Sequence, residues 1–364
     1  MPNICFLLGG FQNNGGIGRV TSVISTEMAK RKDYKVTTIS YFQTEDNPLY
    51  TIGENIKQVV LYPSQISMVS AIFKNHAIKK VKKIIRDEKI DVIIACGALF
   101  YPLAILACKG TQAKCVCWEH TNPSVVRDYK FQGFARSFAV QFADSVVVLT
   151  KSAKKYYLEK LGIKEGKICQ IYNPISQNAM KSSQYNSSSK RIISVGRLSY
   201  PKNFSLLIDI AAKVLPNYPQ WNWDIYGSGE EHEALLKKIK EKGLEGRVNL
   251  KGQVEDIYER YGQYAFQVMT SRYEGFPMSL IEGAANRLPI VSFDIETGPN
   301  EIIKQGENGF LIEKENQDDM IEKICLLMED SSLREKMSEK AIESVKIFDM
   351  DEIIERWCEI CQVE

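Results

Sequence analysis

The sequence lacks a convincing membrane span. The segment from Val92 to Cys108 contains 17 residues and no charge, which is close to the minimum length of a transmembrane helix. Gly97 and Pro102 interrupt it. The β-branched start of this segment favours a buried parallel strand followed by a loop and a helix. We therefore expect no transmembrane helix.

Histidine is scarce, with three in the chain, and the nine cysteines form no regular framework. Met1-Pro2-Asn3 leads directly into a short apolar run, so we expect no cleavable signal peptide. The irregular cysteines and the expected absence of a signal peptide favour a reducing cytoplasm. Cys358 and Cys361 form a C-x-x-C in a helical pattern, with no second pair and no nearby histidine, which we interpret as packing.

The first predicted strand-to-helix turn lacks the full dinucleotide-binding pattern. It reads Asn13-Asn14-Gly15-Gly16-Ile17-Gly18-Arg19, with Thr21 where a third glycine belongs, and the second strand ends at Ser40-Tyr41-Phe42-Gln43 without an acid. These two departures exclude the dehydrogenase interpretation. The glycines still allow close approach of a ligand to the backbone, and helix-terminal N–H groups suit an anion, with a plain tight turn as the alternative.

The net charge of +2 is small, but its distribution is uneven. Residues 1–175 carry 24 Lys and Arg against 13 Asp and Glu, a net charge of +11, and the remainder carries −9. A basic half suggests an anionic surface or ligand facing it, and two solvated faces of opposite sign are the alternative. The mean hydropathy of −0.22 is ordinary for a folded globular chain.

The length of 364 residues favours two domains, and the order of the predicted elements agrees. Strand-like runs alternate with helical runs on both sides of a Ser-, Asn- and Gln-rich stretch, which predicts parallel sheets covered by helices. We therefore predict an α/β chain of two Rossmann-like, doubly wound domains facing across a cleft. The predicted boundaries are 1–175 for the first domain, 176–190 for the linker, 191–347 for the second domain, and 348–364 for a C-terminal helix returning to the first.

The strongest local pattern is Glu274-Gly275-Phe276-Pro277-Met278-Ser279-Leu280-Ile281-Glu282. Pro277 suits the first helical position, where its missing N–H costs nothing, so Glu274 falls in the preceding loop and Glu282 in the second turn. Carboxylates accept hydrogen bonds from sugar hydroxyls, and the N–H groups of a first helical turn donate to phosphate. A capped helix with solvated acids is the alternative.

This pattern, preceded by Tyr273, resembles the signature of the family 4 retaining glycosyltransferases of the GT-B fold. Three further motifs match that family in order and spacing, so the resemblance spans nearly the whole chain. They are Gly15-Gly16-Ile17-Gly18-Arg19, Val195-Gly196-Arg197-Leu198 followed by Pro201-Lys202-Asn203, and Asp224-Ile225-Tyr226-Gly227-Ser228-Gly229.

The resemblance implies that the second domain binds a UDP-sugar and the first domain binds the acceptor. Arg197 and Lys202 would clamp the donor diphosphate, Glu282 would accept from the ribose, and Glu274 would hold sugar hydroxyls near the anomeric carbon. Gly16 would let the first domain's loop approach the diphosphate. The full set of expected donor-binding residues is Gly16, Arg197, Lys202, Gly275, Phe276, Pro277, Met278, Ser279 and Glu282.

His120, in Trp118-Glu119-His120-Thr121-Asn122-Pro123, matches the family's active-site histidine, and with Glu274 it is a predicted catalytic residue. Its expected role is a hydrogen bond to the transferring sugar, and a structural histidine is the alternative.

No metal and no cofactor beyond the UDP-sugar co-substrate are implied. Asp349-Met350-Asp351 has a D-x-D form, but it opens the last helix, where Asp caps and complements the dipole.

A basic amphipathic segment in the first domain predicts contact with an anionic membrane surface. Ile78, Val81, Ile84 and Ile85 share one helical face, and an apolar stretch precedes them at Ile66, Met68, Val69, Ile72 and Phe73. The cations assigned to the membrane or acceptor surface are Lys79, Lys80, Lys82, Lys83 and Arg86. A covering helix with a solvated face is the alternative. We expect no nucleic-acid partner, because no nucleic-acid module accompanies the charge.

Together these features predict a cytoplasmic enzyme, peripheral on the inner face of the plasma membrane. It would move a hexose or N-acetylhexosamine from a UDP-sugar to a polyprenyl-diphosphate-linked glycan during capsule- or O-antigen-type synthesis. A transferase for a small soluble acceptor and a non-catalytic nucleotide-sugar-binding protein are the alternatives. Residues 291–294 and 297–303 are similar to those of members that use UDP-galactose or UDP-N-acetylhexosamines, which favours UDP over GDP and leaves the sugar open.

Overall fold

The computed structural model describes most of the chain as two compact units. The described residues are 1–12, 15–31, 33–43, 50, 52–64, 67, 76–125, 130–175, 179, 185–254 and 256–362. One unit comprises Met1–Pro174 with Met350–Glu364, and the other Ile175–Asp349. Most of the predicted linker (176–178 and 180–184) and the apolar stretch at Ile66, Met68, Val69, Ile72 and Phe73 lie outside the described residues.

The first unit is a seven-stranded parallel sheet covered by helices. Its strands are β1 (Asn3–Leu8), β2 (Lys35–Phe42), β3 (Lys57–Tyr62), β4 (Val92–Cys96), β5 (Lys114–Trp118), β6 (Ser145–Val148) and β7 (Ile168–Gln170). Its helices are α1 (Gly16–Lys30), α2 (His76–Asp87), α3 (Tyr101–Cys108), α4 (Lys130–Phe142) and α5 (Lys151–Glu159). The strand order is β3-β2-β1-β4-β5-β6-β7, the doubly wound arrangement that the alternating pattern predicts.

The second unit is a six-stranded parallel sheet in the order β10-β9-β8-β11-β12-β13. Its strands are β8 (Arg191–Val195), β9 (Asn222–Tyr226), β10 (Val248–Gly252), β11 (Phe266–Met269), β12 (Ile290–Asp294) and β13 (Gly309–Glu313). Its helices are α6 (Phe204–Val214), α7 (His232–Glu241), α8 (Tyr258–Tyr261), α9 (Met278–Ala285), α10 (Pro299–Ile302), α11 (Gln317–Glu329) and α12 (Ser331–Ser344).

Strands such as β1 and β4 are largely apolar, because both faces of the sheet are covered there. All five residues of β4 are buried, and a short 3₁₀ turn and α3 follow it. The uncharged segment from Val92 to Cys108 is therefore a strand, a turn and a helix, as predicted. In the described part of the chain, no helix has the length and apolar character required to span a bilayer.

One strand of the first sheet has little apolar sequence to predict it. β3 (Lys57–Tyr62) pairs with β2 at the edge of the sheet, and only its last two residues, Leu61 and Tyr62, are buried. An edge strand needs little apolar sequence, so its composition gives a weak signal.

The last helix, α13 (Met350–Ile360), belongs to the first unit. Its Trp357 is fully buried and packs edge-on against Trp118 at the end of β5, with ring centroids 4.7 Å apart. Arg356 of the same helix donates a hydrogen bond to the carbonyl of Gln170. The helix is thus held by both aromatic packing and a polar contact with the sheet edge.

Each sheet reverses its strand order once, between β1 and β4 in the first unit and between β8 and β11 in the second. In doubly wound sheets, ligands bind outside the carboxyl ends of the strands at such a reversal. A binding site is therefore expected among the residues that follow these strands.

Candidate active site

Lys202 and Glu274 meet at the strand-order reversal of the second sheet. Lys202 follows β8 and Glu274 follows β11, and Nζ of the lysine lies 2.6 Å from Oε1 of the glutamate. Ser271 Oγ donates to the same oxygen, also at 2.6 Å. The side chains are 22% and 11% exposed, so the pair is partly shielded from water and still reachable by a ligand. Two residues 72 apart in sequence form one polar cluster.

Glycines allow the loops around this cluster to pack closely. An ideal Cβ on Gly196 would lie 3.1 Å from Cδ of Lys202, so the aliphatic part of the lysine passes over this glycine. Gly227 has a φ of +138°, and a Cβ there would lie 1.9 Å from the carbonyl oxygen of Gly196. The amide of Leu198 also donates to the carbonyl of Ser228 at 2.9 Å. Backbone contacts therefore join the loop after β8 to the loop after β9.

The turn that carries Lys202 is shaped by a left-handed residue. Asn203 has a φ of +55° and precedes α6, and its Oδ1 accepts a hydrogen bond from Arg272 at 2.7 Å. The Arg272 guanidinium also lies over the Tyr200 ring, 4.6 Å from its centroid. Sequence reasoning did not identify Arg272, because its partners are about 70 residues away and leave no local pattern.

The loop from Glu274 to Pro277 precedes α9. This helix begins at Met278, so Pro277 is its capping residue. The prediction that Pro277 is the first helical residue was wrong. Pro277 has a ψ of 85°, outside the helical region. Gly298 lies so close to it that a Cβ on this glycine would be 2.3 Å from Cδ of Pro277. Thr297 Oγ1 also donates to the carbonyl of Glu274. The loop thus rests on the segment before α10.

The other members of the motif differ in exposure. The Phe276 side chain is buried and packs against Phe348, with ring centroids 5.5 Å apart, so only its main chain can contact a ligand. Gly275, Met278 and Ser279 are half-buried. The motif therefore combines a packing residue with three positions that are accessible to a bound molecule.

Glu282 lies in the second turn of α9, as predicted, and it is 3% exposed. The Tyr261 hydroxyl donates to its Oε2 at 3.3 Å, and the Tyr258 hydroxyl donates to Oε1 at 3.5 Å. Both tyrosines are on α8, and sequence reasoning missed them. A buried carboxylate needs hydrogen-bond donors, so an aromatic pair with hydroxyl groups upstream of a helical glutamate is the signal that could have found them.

Arg197 is exposed and lies two residues after the end of β8, at the carboxyl edge of the sheet. Its placement matches the expectation that it follows the first strand of the second unit. The second unit thus brings Lys202 and Glu274 into contact, holds Glu282 in a buried setting, and places Arg197 at the same sheet edge.

In the first unit, His120 follows β5. Its ring packs on Trp118 with centroids 4.1 Å apart, and within the described part of the chain its Nε2 has no hydrogen-bond partner. Burial lowers the pKa of His120 from 6.5 to about 3, against the opposing effect of the adjacent Glu119 carboxylate. The imidazole is therefore neutral near pH 7 and retains hydrogen-bonding capacity.

Glu119 anchors the loop that carries His120. The Arg136 guanidinium donates to Oε2 of Glu119 through Nε at 2.6 Å, and the two side chains are 3% and 1% exposed. Tyr157 donates to the same oxygen at 2.9 Å, and Thr121 donates to Oε1 through its amide at 3.0 Å and its hydroxyl at 2.8 Å. Burial raises the pKa of Glu119, but Arg136 and Thr121 outweigh burial and hold it below its ordinary value.

Gly16 is the first residue of α1, and Gly15 is the capping residue before it. An ideal Cβ on either glycine would meet no described atom within 4 Å, so the described packing does not require glycine there. The first turn of α1 contains no acidic residue. Space beside a helix start without acids suits an anion. The amide of Gly15 itself donates to the Tyr50 hydroxyl at 3.1 Å.

The five cations assigned to the membrane surface fall into two groups on α2. Lys80 donates to the carbonyl of Leu61 at 2.8 Å and lies over the Tyr62 ring, and Lys82 donates to the carbonyl of Lys109. Lys79, Lys83 and Arg86 are exposed. Their spacing of four and three residues puts these three on one face of the helix.

Comparisons with known proteins agree with this architecture. The profile for "Glycosyltransferase Family 4" matches residues 14–178, and that for "Glycosyl transferases group 1" matches residues 176–344. An amylovoran biosynthesis glycosyltransferase of Erwinia amylovora is 29% identical over 99% of both chains. A Campylobacter jejuni α-1,4-N-acetyl-D-galactosaminyltransferase, named for an undecaprenol-diphosphate-linked acceptor, is 24% identical over 99% of this chain and 98% of its own.

The solved structures show the same fold. A mutant of S. aureus TarM in complex with fondaparinux, α-GlcNAc-glycerol and UDP superposes with a TM-score of 0.84 over 100% of both chains, at 17% sequence identity.

Proposed function

The chain belongs to the family 4 glycosyltransferases and has their GT-B fold, and from this premise we propose that it is a retaining enzyme using a UDP-sugar. It would transfer a hexose or N-acetylhexosamine to a lipid-linked glycan in capsule- or O-antigen-type polysaccharide synthesis. The observation that carries the donor assignment is the Lys202–Glu274 pair at the strand-order reversal of the second sheet. The UDP in the TarM complex supports the choice of nucleotide.

The proposed roles follow from the chemistry of each group. Arg197, Lys202 and the N–H groups at the start of α9 would neutralise the diphosphate without a metal ion. Glu282 would accept from the ribose hydroxyls, and Glu274 would accept from the hydroxyls of the transferred sugar. His120 would donate or accept a hydrogen bond at the sugar as a neutral imidazole.

The reaction needs no dedicated base. The bond between the anomeric carbon and the diphosphate oxygen breaks, and the acceptor oxygen forms the new bond on the same face of the sugar. The leaving diphosphate takes the proton of the acceptor hydroxyl, so UDP and the extended glycan are the products. The protein contributes positioning and charge stabilisation.

The acceptor assignment rests on the named acceptor of the Campylobacter relative and on the basic face of α2. Lys79, Lys83 and Arg86 would contact anionic headgroups at the inner face of the plasma membrane, where a polyprenyl-diphosphate-linked glycan is accessible. We place the enzyme there as a peripheral cytoplasmic protein.

The test is to incubate purified protein with a panel of UDP- and GDP-sugars and with lipid-linked and soluble acceptors, followed by mass spectrometry. We expect UDP release and one added sugar on the lipid-linked acceptor, with the anomeric configuration of the donor retained by NMR. Transfer only to a soluble acceptor would favour the soluble-acceptor alternative. UDP binding without transfer or hydrolysis of any donor would favour a non-catalytic binding protein.

A further inference from the structure

Helix α4 presents a continuous line of aromatic side chains. Phe131, Phe134, Phe138 and Phe142 are spaced by three or four residues, and successive ring centroids lie 6.1, 5.7 and 4.7 Å apart. Phe134 is 56% exposed and Phe142 is 52% exposed, although phenylalanine is a residue that folded chains usually bury. We refer to these four residues as the phenylalanine stripe.

The exposed surface of α4 is also free of charge beyond its first residue. Between Phe131 and Phe142 the one charged residue is Arg136, which is buried in the ion pair with Glu119. The exposed residues beside the stripe, Ser137 and Gln141, are polar and uncharged. An outward helix face that is normally solvated by charged side chains is here aromatic and neutral.

The stripe lies in the same helical layer as the exposed cations of α2. Helix α3 packs against both α2 and α4, and all three bury residues in one hydrophobic cluster on one face of the first sheet. Lys79, Lys83 and Arg86 are exposed on α2, and Lys130 is exposed at the start of α4. Among the described residues of these three helices, Asp87 at the end of α2 is the only exposed acid.

We propose that this layer is a membrane-docking surface in which the phenylalanine stripe enters the interfacial region of an anionic bilayer. An anionic bilayer is the partner that complements both features, since its headgroups attract the cations and the boundary between headgroups and acyl chains buries the apolar face of an interfacial helix, phenylalanine included. A second copy of the same face would bring like charges together, which favours the bilayer over self-association. The inference rests on the proposed function, in which the acceptor is lipid-linked, and it names the surface that reaches it.

The test compares three variants in flotation with vesicles of phosphatidylcholine and phosphatidylglycerol. The first carries Phe134→Ser and Phe142→Ser, and the second carries Lys79→Glu, Lys83→Glu and Arg86→Glu. The matched control carries Leu236→Ser and Leu326→Ser, two apolar residues of the second unit that are 42% and 37% exposed. Each assay is repeated at high salt, with UDP affinity measured by calorimetry in parallel.

We expect the phenylalanine variant to lose roughly tenfold or more in vesicle partitioning, because burial of a phenylalanine ring contributes on this scale. Its residual binding should be abolished by salt, whereas the wild-type protein should retain a salt-resistant fraction. The cation variant should bind weakly at low salt, and at high salt, where its reversed charges are screened, it should approach the salt-resistant fraction of the wild type. The control variant should bind vesicles as the wild type does, and UDP affinity should be unchanged in all of them.

Wild-type partitioning by the phenylalanine variant, or no vesicle binding by the wild type, would overturn the proposal. A concentration-dependent dimer in sedimentation velocity that the phenylalanine substitutions abolish would also overturn it, in favour of self-association. Because UDP affinity is measured separately, failure of docking with intact UDP binding rejects this inference alone. Absence of UDP binding in the wild type rejects the proposed function instead.

Discussion

Nζ of Lys202 and Oε1 of Glu274 lie 2.6 Å apart, which joins two side chains that the motifs assign to different parts of a donor. A charge-assisted hydrogen bond of this length orients both groups before any ligand arrives. An ammonium has three N–H donors and this contact uses one, so Lys202 can still donate to a phosphate oxygen. The two groups would therefore bind the diphosphate and the sugar as one preoriented unit.

Substitution of Lys202 or Glu282 by alanine should weaken UDP binding without unfolding the protein. Each substitution removes charged hydrogen bonds worth roughly 1.5 to 3 kcal/mol, so affinity should fall by about one to two orders of magnitude. Isothermal calorimetry with UDP measures the change, and thermal unfolding checks the fold. Lys213→Ala and Glu245→Ala, at exposed positions of the same unit, are the controls. Unchanged affinity in both site variants would reject the donor assignment.

Tyr261→Phe should reduce UDP affinity by roughly three- to tenfold, since it removes one long hydrogen bond that orients Glu282. The loss should shrink for a UDP analogue lacking the ribose hydroxyls, because the carboxylate then has no ribose group to bind. Calorimetry of the wild type, Tyr261→Phe and Glu282→Ala with both nucleotides gives a thermodynamic cycle that measures the coupling between each side chain and the ribose hydroxyls. An equal loss for both nucleotides would mean that Tyr261 acts on the fold and not through Glu282.

The strands of the two sheets were predictable because most of them are buried on both faces. β4 is apolar throughout, so its sequence alone distinguishes it from a surface element. β3 is the counterexample, because an edge strand in which only the last two residues are buried lacks that pattern. The positions of the site motifs were predicted from the resemblance to the glycosyltransferase family. Those of the second unit lie together because loops after parallel strands converge at the strand-order reversal.

The pairing of side chains could not be predicted in the same way. Glu119 and Arg136 are 17 residues apart on different elements, and only the fold brings them together. A signal was nevertheless present: each is a charged residue within an apolar run, and such residues are seldom buried without a partner. The division of the α2 cations into bonded and exposed groups depends on neighbours in β3 and after α3, which no local pattern reveals.

Glu119→Leu or Arg136→Leu should each destabilise the protein by about 3 to 5 kcal/mol, because each leaves a buried charge without its partner. The double substitution should cost less than the sum of the single ones, since no unpaired charge remains. Because the pKa of Glu119 is below its ordinary value of 4.5 in the folded protein, its contribution is present above pH 4.5 and is lost as the pH falls through the folded-state pKa.

Urea unfolding of the three variants and the wild type, repeated across acidic pH, measures both effects. Additive losses in the double variant would show that the two side chains do not act as a pair.

Transfer should be insensitive to EDTA. The proposed neutralisation of the diphosphate by Arg197, Lys202 and the N–H groups at the start of α9 leaves no step that needs a cation. Rates measured with and without EDTA, and with added manganese, check this expectation. Complete loss of transfer on chelation, restored by manganese, would indicate a metal site instead. Asp349 and Asp351 would then be the candidate ligands, the latter in the first turn of α13.

His120 should stay neutral between about pH 5 and 8, the range in which an ordinary histidine titrates. Its folded-state pKa of about 3 is below the ordinary 6.5, so between these values the unfolded chain takes up a proton that the folded protein does not. This residue therefore lowers stability as the pH falls from 6.5 towards 3, and it contributes no pH dependence above 6.5. NMR of the ring resonance, assigned by its loss in His120→Gln, should show no titration in the upper range. The acid-induced loss of stability should be smaller in the same variant, and a midpoint between about pH 6 and 7 would show that the ring is solvated.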